Sequence, residues 1–160
     1  MAKPLDHAEI KTGQLITMFM CLVAGLQQDM RWLVVLGAIF LVTGLYRPMS
    51  PFVWAYRWLV QPLGLMKSDY RIDNIQPHSF GQLIGALTAA IILGVYYLGY
   101  GQVAWALVLV LFGLTLVSYL GWCIGCFLYY QLHRLGLRGF FGHEPTDKTV
   151  FPGQRPRRPE

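Results

Sequence analysis

The chain has 160 residues and a net charge of +5; 55% of its positions are apolar, only 13% are charged, and its mean hydropathy is +0.44. Soluble domains carry about a quarter charged residues, so this composition excludes an ordinary water-soluble globule, and its richness in Leu, Val, Phe and Trp excludes a disordered chain. Three cysteines, Cys21, Cys123 and Cys126, are too few for a disulfide scaffold.

Eleven polar or mixed residues open the chain. Residues 12–28 then run for 17 positions without Asp, Glu, Lys or Arg, and residues 32–46 for 15 more. This predicts a first helical hairpin over about 12–46. At 1.5 Å per residue its first arm covers only about 25 Å, so it must thin the bilayer or let Asp29 and Arg31 snorkel at its tip; a re-entrant hairpin is the alternative. The second arm follows within three residues of Gln28, which argues against a cleavable signal peptide. Ser50 and Pro51 read as an N-cap with proline at the first helical position. They predict a short helix over about 51–61, ending before Pro62. Trp54, Tyr56 and Trp58, with Arg57, suit headgroup depth, so this helix is expected to lie on the cytoplasmic leaflet; a plug under the bundle is the other reading.

Residues 74–133 form a run of 60 without a charge, long enough for two spans and a turn. The run predicts a second hairpin over about 80–132, with spans near 80–97 and 103–128 and a turn around Gly99 and Gly101. Residues 135–160, basic and carrying Pro145, Pro152, Pro156 and Pro159, read as a disordered cytoplasmic tail. The two hairpins echo each other: Gly13-Gln14-Leu15-Ile16 opens the first and Gly81-Gln82-Leu83-Ile84 the second, each after a histidine, His7 or His78. A duplicated hairpin is the implied architecture. The expected fold is thus all-α and integral to the membrane: four transmembrane helices as two hairpins within residues 1–134, plus the interfacial helix. Twelve of the thirteen basic residues fall on one side of this scheme; only Arg31 lies on the other. The positive-inside rule makes that side cytoplasmic, with both termini there, in a bacterial inner membrane. The positive charge then faces anionic lipid, and no nucleic-acid partner is expected, because the basic residues form no helical stripe.

Cys123-Ile124-Gly125-Cys126 is the one motif with chemical content. Placed late in the fourth span, its thiols would share a helix face at i and i+3. There the negative end of the helix dipole and the apolar surroundings would raise both pKa values and leave a poor nucleophile. A packing role and a thiol role both stay open for this pair. Gly121 with Gly125, and Gly81 with Gly85, form small-xxx-small stripes expected to pack the third and fourth helices. His133 lies too far along the helix to join the cysteines around one ion, so no metal site is predicted. Missing intramembrane charges disfavour ion pumping and charged-substrate transport.

Arg47-Pro48-Met49-Ser50-Pro51 with Trp54 and Arg57, and the Gly-Trp-Cys-Ile-Gly-Cys-Phe run over residues 121–127, resemble the bacterial domain-of-unknown-function family numbered 4395, four-span membrane proteins with a CxxC in the last span. The resemblance covers about residues 6–134. In that family an Asp-Pro-Arg-type motif precedes the first span, where this chain has Asp6-His7. The resemblance implies that the thiols are used, without supplying an activity.

Three functions are therefore expected candidates. The first is a non-catalytic accessory or scaffold subunit, associating with itself or with another membrane protein. The second is a membrane dithiol that exchanges electrons or sulfur with a cytoplasmic thiol protein through Cys123 and Cys126. The third is binding of a hydrophobic cofactor, such as a quinone or pigment, among the many aromatic residues.

Overall fold

The structure is a computed structural model that describes residues 3–137 and 150–156. Its core is four long helices: α1 (His7–Gln27), α2 (Arg31–Leu45), α4 (Ile75–Tyr97) and α5 (Gly101–Leu120). Between the pairs lies the short α3 (Pro51–Ala55), continued by a wider turn over Tyr56–Val60. A sixth helix, α6 (Ile124–Arg134), follows α5. Helix α1 packs on α2 and α5, and α4 packs on the same two, so the four helices close a ring with α1 and α4 on its diagonal. Leu33, Leu36 and Ile92 are wholly buried inside it, with Ala24 and Ala104.

Helices α1, α4 and α5 are long and apolar enough to cross a membrane; α2, with 15 residues, is shorter. Their outward faces carry exposed apolar side chains such as Phe19, Val34, Leu87, Ile91, Leu109 and Val110. Hydroxyls on these helices turn back onto their own backbones, Thr17 to the Gly13 carbonyl, Thr88 to that of Ile84 and Thr115 to that of Leu111. Each thereby satisfies its polar group without water.

The structure refines the sequence reading in several places. The fourth helix does not run to residue 128. Gly121, with φ of +122°, breaks it, because a left-handed backbone ends an α-helix and is cheap only for glycine; α6 then starts afresh. The fold is all-helical apart from one small addition: β1 (Lys3–Asp6) pairs antiparallel with β2 (Tyr70–Asp73), Lys3 opposite Asp73 and Asp6 opposite Tyr70. Gly85 does not serve a seam between α4 and α5, since a β-carbon there would meet the ring of Phe40, on α2, at 3.0 Å. Part of the expected disordered tail is placed: residues 150–156 strap the start of α6. The Cys123 N–H donates to the Gly153 carbonyl (2.8 Å) and the Arg155 N–H to that of Gly121 (2.9 Å). Phe151 stacks on Phe127. Residues 138–149 and 157–160 of that tail lie outside the described residues.

Candidate functional site

Asp6 builds the floor of the site. It caps α1, one carboxylate oxygen accepting from the N–H groups of Ala8 and Asp69, both at 2.9 Å, and the other from the Tyr56 hydroxyl at 3.0 Å. These bonds fix the small sheet to the helix ends. They also correct the reading of Tyr56 as an interfacial ring, because it is 2% exposed and its hydroxyl points inward. Trp54 and Trp58 do face outward, and Arg57 reaches Glu9 at 3.3 Å beside Arg47.

With the sheet in place, His7 at the start of α1 and Asp73 at the end of β2 become neighbours, and His78 joins them from the first turn of α4. Pro77 beside it sits where a helix tolerates proline, in its first turn. One oxygen of Asp73 lies 2.9 Å from His78 Nε2 and 3.3 Å from His7 Nε2, while the other accepts from the Asn74 N–H at 2.8 Å. Burial opposes ionisation of Asp73, but the bonds from both histidines and from Asn74 outweigh it and hold the carboxyl well below the usual range.

The other ring nitrogen of His78, Nδ1, lies 3.6 Å from the Cys126 sulfur. The thiols sit here because α6 is clamped to α4. Gly125 packs against Gly81 so closely that a β-carbon at position 125 would lie 2.6 Å from the Gly81 Cα. Tyr129 donates to Gln76 at 3.1 Å and packs edge-on against Phe80.

The helix break changes the chemistry expected of the CxxC pair. Cys123 is the N-cap of α6, its sulfur accepting from the Cys126 N–H at 3.4 Å. It therefore sits at the positive end of the helix dipole, the reverse of the sequence expectation. A hydrogen bond from the Cys126 thiol, aided by His78, the Cys126 N–H and the Ser118 hydroxyl, outweighs burial and lowers the Cys123 thiol to about 6. That same bond, together with burial, pushes Cys126 well above the ordinary thiol range. Both cysteines are unbonded. One thiol is thus activated and the other kept protonated beside a histidine, the arrangement a nucleophile and its resolving partner need.

Ligand atoms of His7, Asp73 and His78 lie within 4.8 Å of one another, so this trio could close around a small ion. The 2.9 Å contact between His78 and Asp73 is a hydrogen bond as it stands. Through His78 the Cys126 thiol is linked to Asp73, with His7 3.3 Å beyond, a set of groups of the kind that relays a proton.

Cys123, Cys126 and the packing glycines Gly81 and Gly125 converge on this point. Gly121 supplies the break, and Gly85, Trp54, Arg57 and Trp58 lie elsewhere. Sequence reasoning missed Asp73 and undervalued His7 and His78. Their one sequence signal was the histidine before each Gly-Gln-Leu-Ile repeat.

Fold and site together define a bundle of long apolar helices carrying a polarised dithiol at one end. Residues 5–134 match the model of the family described as Domain of unknown function (DUF4395), and the chain belongs to that family. No curated protein and no solved structure matches the chain significantly.

Proposed function

We propose that the chain is a membrane thiol–disulfide redox protein, in which Cys123 is the attacking thiolate and Cys126 the resolving thiol. The observation that carries this reading is the place of Cys123 at the N-terminus of α6, its sulfur accepting from the N–H of Cys126, whose own sulfur lies 3.6 Å from the histidine of a buried His–Asp pair. A pure packing role, as in an accessory subunit, has no need of a capped thiol or of a buried proton relay. In this reading α1, α2, α4 and α5 all span a bacterial inner membrane, α2 by local thinning. The positive-inside rule puts the dithiol end and both termini in the cytoplasm, where a thiol protein is the exchange partner.

Oxidised glutathione tests the assignment. Cys126→Ser is expected to accumulate one glutathionyl group, on Cys123, whereas the unaltered chain loses that group as the 123–126 disulfide closes. A stable adduct on the unaltered chain, or attack by Cys126 first, contradicts it.

A further inference from the structure

Beside the thiols, the bundle holds a partly open cavity of about 150 Å³, with Phe40, Ile84, Leu111 and Leu114 among its apolar lining and Cys123 beside them. An apolar cavity of about this volume is large enough for a benzene-sized ring. Two polar groups sit on its walls without partners: the side-chain oxygens of Gln14 and Gln82 are buried and accept no hydrogen bond. They are the glutamines of the repeated Gly-Gln-Leu-Ile, one on α1 and one on α4, the diagonal helices of the ring. Two buried acceptor oxygens left without donors on two walls call for a ligand with a hydrogen-bond donor at each end, as the two hydroxyls of a quinol ring provide. Gln14 also reaches toward the thiols: its amide nitrogen donates at 2.7 Å to the hydroxyl of Ser118, which lines the same cavity as Cys123.

We propose that this cavity binds the ring of a lipid-soluble quinone, one ring oxygen to each glutamine, and that the quinone is the electron acceptor of the dithiol. This inference rests on the redox reading above. A carboxamide suits both redox states, because it donates to a quinone carbonyl through its NH2 and accepts from a quinol hydroxyl through its oxygen. The balance closes with two electrons and two protons. The Cys123 thiolate and the Cys126 thiol lose two electrons and form one S–S bond, while both quinone carbonyls become hydroxyls. One proton comes from Cys126 and the other, replacing the proton Cys123 has already released, enters through His78, Asp73 and His7. A cytoplasmic dithiol protein then reduces the disulfide again.

The test uses the full chain in mild detergent, reduced, without oxygen, and a short-tailed benzoquinone. One quinol and one 123–126 disulfide per chain are expected. Gln14→Met with Gln82→Met keeps side-chain size and removes the amides; it is expected to raise the KM for quinone on the order of thirtyfold, the loss of two ordinary hydrogen bonds, while oxidised glutathione still closes the 123–126 disulfide. At one quinone concentration, quinone is expected to raise the melting temperature of the unaltered chain by more than that of the double variant. Leu111→Trp, which fills the cavity, is a second variant expected to lose quinone reduction while still exchanging with glutathione. An unchanged KM in the double variant, equal quinone stabilisation of both chains, or a phospholipid found in the cavity overturns the quinone assignment. Those outcomes leave the glutathione exchange intact. Failure of that exchange instead overturns the redox reading itself.

Discussion

Gly125 meets Gly81 backbone to backbone, at a spacing that leaves no room for a methyl group on position 125. That contact holds α6 against α4 and sets both thiols beside His78. Gly125→Ala is expected to force the helices apart, at a cost of about 1–3 kcal/mol, and to abolish the activation of Cys123. Gly81→Ala is expected to be tolerated, because its new methyl would sit 3.8 Å from the Cys123 sulfur, an ordinary contact. Thermal melting in detergent, with Cys123 alkylation rates, separates the two.

Cys123 should alkylate with a midpoint near pH 6. Its pKa is lowered, so the thiolate forms as pH rises through about 6, and the rate is expected to level off above about pH 7. An ordinary thiol, half ionised at about pH 8.5, gains rate to about pH 9.5. Cys126, shifted upward and buried, is expected to stay unmodified across this range. Mass spectrometry of a timed iodoacetamide reaction reads both rates at once.

Asp73 orders the relay and is expected to contribute to stability. Its carboxyl is held below the usual range in the folded chain, so the unfolded chain takes up protons first as pH falls. The stabilisation is therefore present above about pH 4 and lost below it. Asp73→Asn leaves two histidines without their carboxylate and is expected to cost about 1–3 kcal/mol at neutral pH. Melting temperatures against pH should flatten in the variant below pH 4.

Gly153 keeps the strap in place over the thiols. Its φ is +88°, and a β-carbon there would lie 2.8 Å from the Cys123 carbonyl oxygen. Gly153→Ala is expected to displace residues 150–156 and speed the reaction of Cys123 with bulky maleimides by several-fold, with iodoacetamide changing less. Equal rates for both reagents would contradict a covering role.

The helical class and the apolar segments were legible because charge-free runs and the glycines around Tyr100 are local signals. Ser50-Pro51 likewise marked α3 locally. The site was not legible, for two physical reasons. Gly121, in an apolar run, reads as a packing residue, and only its backbone angle identifies it as the break that turns a late-helix cysteine into an N-cap. Asp73 and His7 are 66 positions apart and meet through a four-residue strand pairing too short to stand out in the sequence. Tyr56 misled for a similar reason: its amphipathic ring suits an interface until Asp6 offers a buried acceptor.

The most direct measurement is a redox titration of the purified chain against glutathione buffers, with thiols trapped and counted by mass at each potential. A reversible two-electron transition that joins Cys123 to Cys126, and that either serine variant abolishes, is the predicted result. Thiols that remain separate across the range, or that oxidise singly without joining each other, would contradict the account.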